Sequence, residues 1–269
     1  MVEIPEIEDF ELSKSRILTY INCPFHYKLK YICGLPEATI PAYERGKAVH
    51  EILAQFWAKF FSKDINNPTA QFTDILQKLA DKSWEEYQIY LENFVDFEVT
   101  RWNKLKTPLW RNQFFKPTHL ELVLHHKGAM GIIDRIDYHP KRGYRIIDYK
   151  TGGAYGIEKN MFELAFYAHL VHKNYKFRIT RVGILNLKTG KFFQSPITMI
   201  DIAKAGRIAN RVQKLILGEI FEKPKNPNCW FCPLNYKQIC QKYNRRPEAI
   251  RYEDFKEGSA EVETLGDLK

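Results

Sequence analysis

The sequence of 269 residues lacks any apolar run approaching the roughly 18 residues that suggest a membrane-spanning helix, so no membrane association is expected. It also lacks a secretory leader. Met1 to Glu11 are acidic and show no basic stretch followed by an apolar one, which points to a soluble, cytoplasmic protein. No Gly-x-x-x-x-Gly-Lys-Ser/Thr loop occurs, so the chain carries no recognisable ATP-driven motor. There are no internal repeats and no low-complexity runs. Cysteine is sparse, with 5 residues, and without a leader a disulfide framework is a poor account of them. Acidic charge is scarce through the body of the chain and concentrated at its ends. Residues 1–11 hold five acids and no base, and residues 253–269 hold six acids against two lysines. These ends carry −5 and −4 of a formal net charge of +9, which leaves +18 on residues 12–252. Such a body attracts polyanions, nucleic acid among them.

With 45% hydrophobic residues, the chain can bury a full core. The pattern divides into an acidic segment (1–12), a folded body (13–243) and a polar tail (244–269) without apolar period. Within the body, a helical insert spans about 51–118, a core about 119–218, and a cysteine-rich part 219–243. Apolar spacing predicts short helical pieces over Ser13 to Ile32 and helices over Tyr43 to Phe61 and Thr69 to Asn93. Strands are predicted over His119 to His126 and Ile179 to Leu187, and helices over Lys159 to Lys173 and Ile200 to Leu217. This is a mixed α/β plan in which helices flank a sheet.

Two further strands, 131–138 and 144–150, flank the breaker His139-Pro-Lys-Arg-Gly143 and read as a hairpin. A turn centred on Lys141 sets Tyr138 opposite Tyr144, Ile136 opposite Ile146, and Asp134 opposite Asp148. Strand alternation then places Lys150 on the face of Asp148, beside Ile132, Ile136 and Ile146, while Arg135, Asp137 and Tyr149 point the other way. Opposed carboxylates destabilise a sheet unless something compensates them, and a divalent cation does so. Oxygen-rich ligation suits magnesium or manganese, which also engage phosphate. An isolated Asp-x-Lys is ordinarily a structural ion pair; the register with Asp134 is what distinguishes this one. His50 lies one helical turn from Gly46, at the border of the Val49, Leu53, Phe56, Trp57 and Phe60 stripe. A histidine in that position is either a satisfied core residue or a ligand.

The ordered set Gly46-x-x-x-His50, Gly131-x-x-Asp134-Arg135-x-Asp137, Asp148-Tyr149-Lys150 and Glu163-x-x-x-Tyr167 resembles the PD-(D/E)XK nucleases, in particular their RecB-like branch. The family carries Gln where Glu163 stands, and an ionised glutamate accepts hydrogen bonds without donating them. The resemblance implies a restriction-endonuclease-like core, a mixed β-sheet flanked by helices. It also implies DNA contacts by Tyr167, Glu163 and Arg135.

Cys229-x-x-Cys232 with Cys240 leaves a tetrahedral thiolate site one ligand short, so a fourth must come from elsewhere in the chain. The chain is similar here to AddB-type nucleases and to the CRISPR-associated exonucleases, where one early and three late cysteines hold a four-iron, four-sulfur (4Fe-4S) cluster. That resemblance implies Cys23, Cys229, Cys232 and Cys240 as ligands, clasping the N- and C-terminal regions, with Cys33 a small hydrophobe. The ligand residues alone do not separate such a cluster from zinc.

The expected activity is metal-dependent hydrolysis of DNA by an exonuclease favouring single strands or ends. His50, Asp134, Asp148 and the Tyr149 carbonyl would hold Mg2+ or Mn2+, and Lys150 would orient water or stabilise phosphate charge. Glu121 lies on the preceding strand, with a register the sequence does not set. In the insert, Trp102, Trp110, Phe114 and Phe115 alternate with basic residues, a composition suited to single strands. A helicase or a CRISPR-adaptation complex is a possible partner. The alternatives are a non-catalytic DNA-binding or scaffold subunit and a zinc-clasped nucleic-acid-binding protein.

Overall fold

In the computed structural model of the protein, residues 11–32, 34, 41–60, 65–153 and 156–221 are described. Cys33, Cys229, Cys232, Cys240 and the acidic stretches 1–10 and 253–269 lie outside the described residues, and with them most of the expected cysteine cluster. In chain order the elements are β1 (Leu12–Ser13), α1 (Lys14–Asn22), α2 (Pro24–Tyr27), α3 (Pro41–Lys59), α4 (Pro68–Ala80), α5 (Trp84–Lys104), α6 (Pro108–Phe114), β2 (His119–His126), β3 (Ala129–His139), β4 (Gly143–Lys150), α7 (Met161–Tyr175), β5 (Ile179–Asn186), β6 (Lys191–Pro196) and α8 (Met199–Leu217). Among the described residues no helix is long and apolar enough to cross a membrane.

Two units form. The first comprises the described parts of Met1–Thr39, His125–Met130 and Ala203–Lys269. In it β1 pairs parallel with Ala129 and Met130. Ser13 caps α1 by accepting from the Arg16 N–H, and Cys23 ends α1 and opens α2, its Sγ accepting from the His26 N–H at 3.4 Å. The Tyr20 hydroxyl donates to the Ile220 carbonyl at 2.6 Å, and the Phe221 ring stacks on Tyr27, so early and late parts of the chain meet here.

The second unit comprises Ile40–Leu124 and Gly131–Ile202 and carries the sheet β2-β3-β4-β5-β6. Proline opens α3, α4 and α6, where a missing N–H leaves no bond unmade, and Asn67 and Thr107 cap the latter two. The β3–β4 hairpin has the expected register, Tyr138 opposite Tyr144 and Ile136 opposite Ile146. β4 and β5 are parallel and are joined by α7, while β6 returns antiparallel on β5. One sheet face, with Ile147, Tyr149, Leu185 and Leu187, packs against an aromatic cluster from the insert that includes Phe56, Trp57, Phe72, Phe94 and Phe115. α7 lies against β4 and β5, and its Glu163 reaches Lys150.

Four expectations are corrected. The helix expected over 69–93 is broken at Asp81, whose φ of 46° ends α4 before α5 begins. Strand β6 and helix α6 add to the expected elements. Ile132 is 45% exposed, so it is not buried with Ile136 and Ile146. Trp102 and Phe115 are buried in the core rather than offered for stacking, whereas Trp110 is exposed.

Candidate active site

The paired hairpin register ends at Arg135 opposite Ile147, one residue short of Asp134 and Asp148. The Asp134 carboxylate reaches one residue further and accepts the Tyr149 N–H at 2.7 Å. Both aspartates are buried. Helix α3 brings its apolar stripe onto the insert core, and this presents His50 to the end of β4. The imidazole Nε2 lies 3.1 Å from the Tyr149 carbonyl oxygen, and Nδ1 lies 3.5 Å from Asp134 Oδ1. Gly46 permits this approach, since a Cβ there would stand 3.0 Å from Thr151 Oγ1.

Sequence reasoning left Glu121 unplaced, yet the structure brings it in. Glu121 has a φ of 44°, a left-handed conformation costly for a residue with a side chain and typical of strand irregularities that re-aim side chains. One donor atom from each of His50, Glu121 and Asp134 lies within 4.8 Å of the others. Asp148 instead engages Lys150, whose Nζ lies 2.7 Å from Asp148 Oδ2 and 2.9 Å from Glu163 Oε1. The Tyr167 hydroxyl hydrogen-bonds Glu163 in turn. Helix α7 thus supplies a carboxylate to Lys150 at the position where the sequence departs from the Gln motif.

Burial opposes charge throughout this cluster, and the partners decide each outcome. Burial would lower the His50 pKa, but Asp134, by charge and hydrogen bond, together with Asp148 and Glu121, raises it to about 9. Glu121 is pushed up to about 7 by burial and by the Asp134 charge, with His50 opposing. Asp134 stays below the usual carboxylate range despite burial, because of His50, the Tyr149 N–H and Lys150. Lys150 is raised above an ordinary lysine against burial by Asp148 and Glu163, and so remains an ammonium. It can donate hydrogen bonds but cannot act as a base at neutral pH. Burial, then Glu163, raises the Tyr167 phenol.

Four carboxylates, from Glu121, Asp134, Asp148 and Glu163, thus face one ammonium and one imidazole. A hard divalent cation fits the oxygen and imidazole donors of His50, Glu121 and Asp134, and its charge balances the excess of acids.

Arg135 is not placed to touch DNA. Its side chain is fully buried on the other side of the sheet, where it pairs with Glu98 and, at 2.7 Å, with Asp137 Oδ1, and donates to the Tyr149 hydroxyl at 3.0 Å. Arg101 and Arg145 also engage Asp137. Burial would raise the Asp137 carboxyl, but these three guanidiniums hold it well below its usual range. Alternation showed Arg135, Asp137 and Tyr149 sharing a face; that Glu98 of α5 meets them there had no signal in the sequence.

The chain matches the family model of the PD-(D/E)XK nuclease superfamily over residues 11–241. Among solved structures it is similar to that of a Eubacterium rectale protein provisionally described as an exonuclease. The two are 11% identical, with a TM-score of 0.44, and the match covers 94% of this chain and 96% of the other. No curated protein sequence matches the chain.

Proposed function

We propose that this chain, which belongs to the PD-(D/E)XK nuclease superfamily, is a divalent-metal-dependent deoxyribonuclease of exonuclease type acting on single-stranded DNA or DNA ends. The observation that carries the reading is the gathering of His50, Glu121 and Asp134 donor atoms within 4.8 Å of one another, beside the Asp148–Lys150 pair. These three residues, with Asp148 and the Tyr149 carbonyl, would hold Mg2+ or Mn2+. Such an ion supplies Lewis-acid charge and a bound water of lowered pKa. Lys150, kept as an ammonium, donates to a phosphate oxygen or to the attacking water and stabilises charge growing on the phosphate. Glu163 fixes the direction of that ammonium, and Tyr167 steadies Glu163. Burial of the carboxylates excludes bulk water, which strengthens these interactions.

The same reading includes a structural 4Fe-4S cluster on Cys23, Cys229, Cys232 and Cys240, with zinc as the alternative occupant. Of these ligands only Cys23 is among the described residues. Visible absorption that disappears in Cys232→Ala separates the cluster from zinc. A helicase or a CRISPR-adaptation complex is the proposed setting.

The test incubates the purified protein with end-labelled single- and double-stranded DNA in manganese, magnesium or chelator, alongside Lys150→Ala. Metal-dependent degradation that the substitution abolishes is expected. Equal cutting by the variant refutes the assigned chemistry.

A further inference from the structure

The hairpin turn of the second unit carries a feature that the proposed reaction does not use. The rings of Trp110, Phe114, Tyr138, Tyr144, Phe177 and Tyr175 form one connected row, with successive centroids 5.7, 6.2, 4.9, 4.3 and 5.1 Å apart. Tyr144 and Phe177 are nearly parallel, at 7°. A row that served only to fill a core would be covered along its length. Here Trp110, Tyr138 and Tyr175, spread from one end to the other, are 37%, 38% and 42% exposed.

Charge identifies the ligand. The three segments that supply the rings, 99–118, 138–147 and 164–200, contain no Asp or Glu. Exposed cations are interleaved with the rings: Lys116 beside Phe114, Lys141 and Arg142 in the turn between Tyr138 and Tyr144, Lys176 and Arg178 on either side of Phe177. Among the described residues these five form no ion pair, whereas buried Arg135 and half-buried Arg101 and Arg145 are all matched to acids. Ring faces alternating with free cations suit a strand of unpaired bases joined by phosphates, and stacking on rings needs no particular sequence. A protein partner would have to present an anionic, aromatic-binding surface instead.

We propose that this row is a second nucleic-acid site, which takes single-stranded DNA by stacking bases on the rings and pairing phosphates with the flanking cations. Tyr138 stands four residues along β3 from Asp134, about 13 Å at roughly 3.3 Å per residue, or about four nucleotides of a stacked strand. The site therefore grips the strand a short way from the carboxylates. That role rests on the nuclease reading; the binding itself rests on the rings and the charge.

The experiment measures fluorescence anisotropy of a labelled oligothymidylate of about 20 nucleotides with the full chain in chelator, so that no cutting is needed. Each of Trp110→Ala, Tyr138→Ala and Tyr175→Ala is expected to weaken binding by about 5- to 100-fold, and Tyr138→Phe, which keeps the ring, to bind as wild type. These side chains are partly exposed, so circular dichroism melts are expected to stay near wild type. Lys176→Gln with Arg178→Gln lowers the slope of log affinity against log salt by about 0.7 per cation. Unchanged affinity in all three ring variants overturns the proposal and leaves the row to a protein partner. A wild-type protein that binds the oligonucleotide but cuts nothing with manganese sinks the nuclease reading alone. One that cuts while the ring variants bind normally sinks this proposal alone.

Discussion

Lys150→Met probes the centre of the charge arrangement. The ammonium lies 2.7 Å from Asp148 and 2.9 Å from Glu163, and both carboxylate side chains are only 6% exposed. Methionine keeps most of the apolar stem and removes the charge, so two buried acids are left facing each other. Removing one partner of a buried ion pair costs about 3–5 kcal/mol. The Lys150 side chain is 28% exposed, so water can partly replace the ammonium, and about 3 kcal/mol is the better figure. At roughly 2–4 °C per kcal/mol, Tm in chelator at neutral pH falls by about 6–12 °C. With their cation gone, burial and mutual repulsion disfavour the charged forms of Asp148 and Glu163, and protonation relieves both. The penalty is therefore largest where both are ionised and fades as falling pH protonates them. Melts followed by circular dichroism at about pH 7 and pH 5 should show the deficit shrinking in acid. Glu163→Gln in the same background removes one of the repelling charges and recovers about 1–3 kcal/mol, whereas in wild type it only weakens a pair. A deficit that is identical at both pH values and additive with Glu163→Gln would show that the ammonium is not what holds these acids together.

Three further outcomes are expected. A cation at His50 and Glu121 needs a neutral imidazole and an ionised carboxylate, while those groups are raised to about 9 and about 7. Manganese affinity should therefore climb from about pH 6 to pH 9, with about one to two protons released at neutrality; calorimetry in buffers of different ionisation enthalpy reads this, and a pH-independent affinity contradicts it. Asp137 has a depressed folded pKa, so its contribution is present above the unfolded carboxylate value of about 4 and is lost as pH falls through the folded one. Asp137→Asn should cost about 3 kcal/mol in urea unfolding at neutral pH and flatten the loss of stability in acid; a variant as acid-sensitive as wild type refutes that assignment. Gly131→Ala brings a Cβ to 2.7 Å from Leu170 Cδ1 and 3.2 Å from the Tyr167 ring, for a loss of about 1–3 kcal/mol in thermal unfolding, and an unchanged Tm would mean that α7 yields freely.

The hairpin was legible because two signals agree. His139 to Gly143 is turn chemistry, and alternation on either side leaves only one register that pairs Tyr138 with Tyr144. His50 and Gly46 were legible as one helical turn beside an apolar stripe. The break at Asp81 was not, because neither proline nor glycine marks it and the apolar spacing continues from α4 into α5. Glu121 escaped for a backbone reason: at φ 44° it departs from the alternation by which strand side chains are assigned to faces. Arg135 misled in another way. Its direction away from Asp134 was readable, but an arginine that leaves one face reaches solvent or a buried acid depending on what packs there, and Glu98 arrives from 37 residues away. Trp102 and Trp110 show the same limit, since one is core and the other exposed on similar local composition.

Tyr149 explains why the candidate site depends on the helical insert. Its N–H holds the Asp134 carboxylate and its carbonyl meets His50, so the backbone of one residue sets the separation of two metal-binding candidates. The side chain points through to the opposite face, where its ring packs at 6.0 Å from Phe94 of α5 and its hydroxyl accepts from Arg135. Arg135 in turn is fixed by Glu98, also from α5, and by Asp137 two residues along its own strand. A buried, charge-paired network of this kind has few alternative arrangements, because any shift that opens one pair leaves a charge buried without its partner. The cost of moving Tyr149 is therefore the cost of disturbing Arg135. Through that one residue, the charges behind the sheet hold in place the carbonyl and N–H in front of it, and the carboxylates keep a fixed spacing without bonding to one another.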